Sequence, residues 1–97
     1  MGNGLKSANF LMESRLRDAA RGDADALFDL GVAYSTGSGV AVDLIEAHKW
    51  FNLAAVSGLG PAQEARAEVA EDMTAREIAT AQAAARAWLG VSRARAA

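Results

Sequence analysis

The stretch that decides the fold runs from Gly37 to Ala55 and reads GSGVAVDLIEAHKWFNLAA. Its two glycines supply backbone conformations with positive φ that other residues avoid, so the segment before Asp43 is predicted to be a loop. Asp43 is a good N-cap, and Glu46 three positions later completes a capping-box-like pair for the first amides of a helix. The apolar residues of this helix recur at helical spacing and form its inner stripe: Ala47, Trp50, Phe51, Ala54 and Ala55.

Two helices are predicted before this loop. The first covers residues 7–21, and Gly22 is placed to end it. The second runs from about Asp23 to Ser35. Its apolar stripe combines Ala26, Leu27, Leu30, Gly31 and Tyr34.

Two more helices follow the quoted stretch. One opens at Pro61, which is favoured in a first turn because its missing N–H is not needed there. The other begins at Thr74, with Glu77 as its capping-box partner, and is predicted to end at Gly90. Residues 91–97 are predicted to be a frayed tail. About a quarter of the chain is alanine, and no run alternates with period two, so the class is all-α.

The helices recur as a repeat. The segments GDADA at residues 22–26 and GLGPA at residues 58–62 lie 36 positions apart, and each opens a short helix. A period near 36 residues made of two helices is typical of an α-solenoid.

The segment from Ala26 to Gly58 resembles a Sel1-like repeat, a relative of the tetratricopeptide repeat. Many spaced positions agree with the family pattern at once, and they form the repeat signature. These positions are Ala26, Leu30, Gly31, Tyr34, Gly37, Gly39, Val40, Asp43, Glu46, Ala47, Trp50, Phe51, Ala54, Ala55 and Gly58.

The resemblance implies a single domain over residues 1–97, folded as an α/α superhelix of about five helices. It would contain an N-terminal half-repeat helix (7–21), a full repeat (22–57), a shortened capping repeat (58–90) and the tail (91–97). The two repeats would be antiparallel helix hairpins. The second copy lacks the Gly-x-Gly loop and has Arg66 where the first has Leu30, which suggests a terminal cap.

Composition argues against several classes of function. The net charge of -2 gives no basic footprint for nucleic acid. The absence of cysteine excludes a disulfide framework and a thiolate metal site, and we expect no cofactor or metal. No stretch approaches the ~20 apolar residues that span a bilayer. Without a recognisable signal peptide, a cytoplasmic location is favoured.

No catalytic pattern is found. His48 is the single histidine, and we expect it to be solvated on a helix flank rather than catalytic. The sequence TGSG at residues 36–39 lacks the following Lys and Ser/Thr of a phosphate-binding loop, so the hairpin alone explains its glycines. We therefore expect a protein that is not an enzyme.

A protein or peptide partner is the expected ligand, since the resemblance implies protein–protein scaffolding, often in bacterial assemblies. In this class of solenoid the first helix of each hairpin lines the concave face. The predicted partner-binding residues on that face are Asp25, Phe28, Asp29, Val32, Glu64, Glu68 and Glu71. This largely acidic set suits a basic or extended peptide, although Asp and Glu also serve simply to solvate helix surfaces.

A second hypothesis is a small structural homo-oligomer, in the simplest case a homodimer. Its contact would be the last helix, where Ala79, Ala83 and Ala87 lie away from the inner stripe. A poorly polar end of a solenoid favours stacking on another copy. High helix propensity is the alternative explanation for these alanines.

Overall fold

Five α-helices follow one another along the chain. The structure, a computed structural model, describes the backbone of residues 3–96 and the side chains of residues 10–92. The described residues contain no β-strand, which confirms the all-α prediction. The helices are α1 (Asn3–Ala20), α2 (Ala24–Thr36), α3 (Leu44–Val56), α4 (Pro61–Ala70) and α5 (Ala75–Ala96).

Local capping explains where three of the helices start. The Asp23 carboxylate accepts hydrogen bonds from the amides of the second and third residues of α2, Asp25 and Ala26. Thr74 and Glu77 form a reciprocal capping box, with N···O distances of 2.8 and 3.1 Å, as the sequence predicts.

At the start of α3 the predicted capping box is only half formed. Asp43 Oδ1 accepts from the Glu46 amide at 3.1 Å, but the Asp43 amide donates to the carbonyl of Tyr34. The Glu46 carboxylate instead pairs with Lys49 at 2.6 Å. The bond to Tyr34 closes the loop between α2 and α3, so the two helices return antiparallel as a hairpin.

The loop begins at Gly37, which ends α2 in the left-handed region with φ 78°. Its amide donates to the carbonyl of Ala33 and so satisfies one of the orphan acceptors of the last turn. Any side chain at this position would be strained by the positive φ, which is why the sequence uses glycine.

The two terminal helices are longer than the sequence predicts. α1 begins at Asn3 rather than at residue 7, and α5 continues through Gly90 to Ala96, so residues 91–96 are helical rather than a frayed tail. Gly90 does not adopt positive φ. An isolated glycine costs a helix about 1 kcal/mol relative to alanine. The good helix formers on either side of it, Leu89 before and Arg93 and Ala94 after, offset that cost.

α3 is the central helix. Its main packing partners are α2, α4 and α5, while α1 packs on α2. Successive residues of a helix point about 100° apart, so Trp50, Phe51 and Asn52 reach three different neighbours. Trp50 meets Trp88 of α5 edge-on, with ring centroids 4.9 Å apart, and Phe51 packs on α2. Asn52 accepts a hydrogen bond from Arg66 of α4.

Seven of the fifteen residues of the repeat signature are buried. The buried members are Ala26, Leu30, Gly31, Ala47, Trp50, Phe51 and Ala54, whereas Tyr34, Val40, Glu46 and Ala55 are half-buried. Gly37, Gly39, Asp43 and Gly58 are exposed at helix ends or in loops. The radius of gyration of 13.3 Å is close to the ~13 Å of a compact domain of this length.

The two predicted repeats are packed differently. α2 and α3 pair directly, whereas the main interfaces of α4 and α5 are both with α3 rather than with each other. Arg66 of α4, at the position that corresponds to the fully buried Leu30, lies partly buried against Asn52. A polar contact thus replaces an apolar one in the second predicted repeat.

Replacing Trp50 with alanine is expected to lower the free energy of unfolding by about 3–5 kcal/mol, because the side chain is 3% exposed and joins α3 to α5. That loss is a large share of the ~5–15 kcal/mol of a typical domain. Urea denaturation followed by circular dichroism measures it. Phe10→Ala is the control, since Phe10 is 67% exposed and its removal is expected to change stability by less than about 0.5 kcal/mol. Equal effects of the two substitutions would contradict the packing described here.

Candidate partner-binding groove

A groove lies between α2 and α4 and extends to the start of α3. Its volume is about 400 Å³, within the ~300–1,000 Å³ of sites that bind ligands. Its walls are lined by Phe28, Val32, Ser35, Thr36, Leu44, Phe51, Ala65, Glu68, Val69 and Asp72. We refer to these ten residues as the α2–α4 groove.

The floor of the groove is aromatic and is set by a glycine. A Cβ built on Gly31 would lie 2.4 Å from the Cδ1 atom of Phe51, so the ring occupies the space of an absent side chain. The Phe51 ring also meets the ring of Phe28, with centroids 5.3 Å apart and planes tilted by 51°. Phe51 is 3% exposed, and Phe28 is half-buried beside it. Val32, 37% exposed, continues the apolar surface toward solvent.

One rim of the groove is acidic. Glu68 and Asp72 are exposed and lie four residues apart at the end of α4, and the last turn of that helix contains no basic residue. Carboxylates at a helix C-terminus face the negative end of the helix dipole and cost stability there. Among the side chains of residues 10–92, the single ion pair is that of Lys49 with Glu46, so neither rim carboxylate is neutralised by a described cation.

The structure brings together three of the seven predicted partner-binding residues. Phe28, Val32 and Glu68 line the same groove. The other four, Asp25, Asp29, Glu64 and Glu71, are exposed but lie outside its lining.

Sequence reasoning missed most of the remaining lining. Asp72 was detectable from its position four residues after Glu68, although it lies in the turn that follows α4 rather than on the helix. Phe51 was assigned to the core alone, whereas it belongs both to the core and to the floor of the groove. No sequence pattern marks Leu44 or Val69 as a groove residue, since their place in the groove depends on how α4 packs on α3.

The prediction that His48 is solvated is wrong. Its side chain is 3% exposed, and Nδ1 has no hydrogen-bond partner among the described residues. The error arises because α3 is enclosed by three other helices, which bury a position that would be a flank in an isolated hairpin. Burial, and secondarily the charge of Arg66, lowers the pKa of His48.

The pKa of Tyr34, in the last turn of α2, shifts in the opposite direction to that of His48. Burial, followed by the nearby carboxylates of Glu46 and Asp43, raises the pKa of its phenol. Tyr34 therefore stays neutral through the physiological pH range. It does not line the groove.

Other surfaces of the protein are less suited than the α2–α4 groove to binding a ligand or a partner. A cavity of about 190 Å³ beside Leu27, Leu53 and Trp88 is smaller than most ligand sites. Ala79, Ala83 and Ala87 of α5 are exposed, but alanine offers little apolar area to a second copy.

No helix of the described residues is long and apolar enough to cross a membrane. Within the same part of the chain, no three His, Asp or Glu side chains are grouped so as to hold a metal ion.

Comparisons of the chain with protein-family models, curated proteins and solved structures found no match.

Acidification is expected to destabilise the fold through His48. Its folded-state pKa lies below 6.5, the ordinary value that the unfolded chain restores. Between these two pKa values the unfolded state binds a proton that the folded state does not. The free energy of unfolding therefore falls as the pH falls from about 6.5 toward the folded-state pKa, and it is unaffected by this group above that range.

Urea denaturation of wild type and of His48→Gln at pH 7.5 and 5.5 measures this effect, since most carboxylates titrate below that range. The wild type should lose stability on acidification and the variant much less. Because His48 is the single histidine, NMR of its imidazole protons gives an independent test. A titration midpoint at or above 6.5 in the folded protein would contradict the assignment.

Proposed function

We propose that this chain is a non-catalytic protein–protein interaction module that binds a peptide segment of a partner protein in the α2–α4 groove. The observation that carries the proposal is the groove itself: an aromatic floor formed by Phe28 and Phe51, an apolar wall that includes Val32, and a charged rim. Apolar surface provides affinity when it is removed from water, and polar groups at the edge fix orientation.

The exposure of this apolar surface supports binding. Val32 is 37% exposed and lines the groove together with Phe28, which is half-buried against the main core. Contiguous apolar surface rimmed by polar residues is typical of a protein interaction site. Seating a partner side chain there would cover the outer edge of the aromatic pair.

The polar groups of the groove favour binding over catalysis. Ser35 Oγ and Thr36 Oγ1 both donate to the carbonyl of Val32, at 3.0 and 2.8 Å, and so cap the last turn of α2. A nucleophilic hydroxyl needs an adjacent base, and the single histidine does not line the groove. The carboxylates of Glu68 and Asp72 are exposed, which suits an electrostatic role in partner orientation.

The proposed architecture is that of a Sel1-like α/α superhelix, in which α2 and α3 form the full repeat and α4 and α5 a modified capping repeat. The α2/α3 hairpin, with its Gly37 turn and the Asp43 cap, supports this assignment. So does the position of the groove, since in this architecture α2 and α4 would be the first helices of successive repeats and would line the concave face. The acidic residues predicted on that face, Asp29 and Glu64 among them, add to its negative potential.

Selection of a random dodecapeptide phage library on the immobilised protein tests this function. We expect recovery of peptides whose synthetic forms bind the chain in fluorescence anisotropy. Val32→Glu should weaken their binding at least tenfold, because it places a carboxylate on the apolar wall. Val56→Glu is the matched control: Val56 is 62% exposed on α3, lies outside the groove, and its substitution should leave affinity within about twofold.

Circular dichroism must show both variants to be folded, as the exposure of the two valines leads us to expect. If no recovered peptide binds in solution, or if Val32→Glu binds as tightly as Val56→Glu, the groove is not a partner-binding site.

A further inference from the structure

The α2–α4 groove combines an apolar floor with carboxylates on one rim, and this combination identifies the chemistry of its occupant. We propose that the groove binds a linear peptide segment that places a large apolar side chain over Phe28 and Phe51. A basic residue of the same segment lies between the carboxylates of Glu68 and Asp72. The inference rests on the proposed function and adds the chemical class of the partner.

The apolar part of the site has a fixed shape. Phe51 is held from below by the backbone of Gly31 and from the side by Phe28, so the floor does not need to rearrange for a ligand. Val32 and Val69 line the same groove with aliphatic side chains. A preformed apolar site favours a large aliphatic or aromatic anchor, because little conformational entropy is lost on binding.

The carboxylates of the site lie where their negative charge lowers the stability of the fold. Glu68 lies in the last turn of α4, and Glu71 and Asp72 follow directly, next to the negative end of the helix dipole. Charges that lower stability at a helix end are typical of sites kept for function. The charge they create is available to a partner cation, since the described side chains that line the groove include no Lys or Arg.

The presence of two carboxylates on one rim favours arginine over lysine. Glu68 lines the groove from the last turn of α4, and Asp72 lines it from the turn that follows this helix. A guanidinium is planar and carries five donors, so it can serve both carboxylates together, whereas an ammonium is a point charge. The same carboxylates repel phosphate and carboxylate ligands, which argues against an acidic peptide or a nucleic acid.

The peptides recovered from the dodecapeptide library test the proposal. We expect them to combine a Leu, Met, Phe or Trp with an Arg or Lys nearby. Replacing that basic residue with Gln should weaken binding roughly threefold to tenfold, and the double variant Glu68→Gln/Asp72→Asn should do the same. The two losses should not add when combined, because they remove one interaction. Raising the salt concentration from 0.05 to 0.5 M should remove most of the difference.

The matched control is Glu13→Gln/Asp18→Asn, which removes the same charge from α1, outside the groove lining, and should leave affinity within about twofold. Thermal unfolding adds a readout that separates binding from structure. Neutralising Glu68 and Asp72 should leave Tm unchanged or raise it while weakening the peptide, because their carboxylates oppose the helix dipole.

Four outcomes would overturn the proposal. Recovered peptides that require Val32 but contain no basic residue would leave the proposed function standing and remove this inference alone. If the control double variant weakens binding as much as Glu68→Gln/Asp72→Asn does, the effect comes from the overall negative charge of the protein rather than from a site at Glu68 and Asp72. Groove-dependent self-association, seen by sedimentation as a wild-type dimer that Val32→Glu abolishes, would show that a second copy occupies the groove. A library that yields no binder would remove both proposals.

Discussion

The contact between the Phe51 ring and the bare backbone of Gly31 sets how closely α2 and α3 approach. No side chain larger than hydrogen fits at Gly31 without moving the ring, because its Cβ would lie 2.4 Å from a ring carbon. This approach brings Phe28 of α2 against the same ring at 5.3 Å. One glycine thus fixes both the hairpin that forms the centre of the protein and the floor of the groove on its surface.

The enclosure of α3 follows from the rotation of a helix by about 100° per residue. Trp50 points to α5, Phe51 to α2 and Asn52 to α4. The two adjacent aromatic residues therefore pack against different helices. A helix with neighbours in three directions has little surface left for solvated polar residues. His48 is buried for this reason, and the partly buried Asn52 accepts a hydrogen bond from Arg66.

Features that depend on a few neighbouring residues were predictable from the sequence. The cap at Asp23, the capping box of Thr74 and Glu77 and the glycine turn at Gly37 each follow from local hydrogen bonding and φ preferences. The prediction that the last helix ends at Gly90 was wrong, because a helix tolerates an isolated glycine when good helix formers lie on either side of it. The burial of His48 could not be predicted from the sequence, since it depends on how α4 packs on α3. The groove was partly predictable: Phe28, Val32 and Glu68 follow from helix faces, whereas Leu44 and Val69 enter only through tertiary packing.

The account depends most directly on the fit of Phe51 against Gly31, and the substitution of alanine for two helical glycines measures it. Gly90 has no atom within 4 Å of an added Cβ, so Gly90→Ala should raise the free energy of unfolding by about 0.5–1 kcal/mol through helix propensity alone. Gly31→Ala gains the same propensity but forces the buried Phe51 ring to move, at a cost of about 1–3 kcal/mol for overpacking. Urea denaturation should therefore show Gly31→Ala to be less stable than wild type and Gly90→Ala more stable. An equal rise in stability for both variants would contradict the central claim.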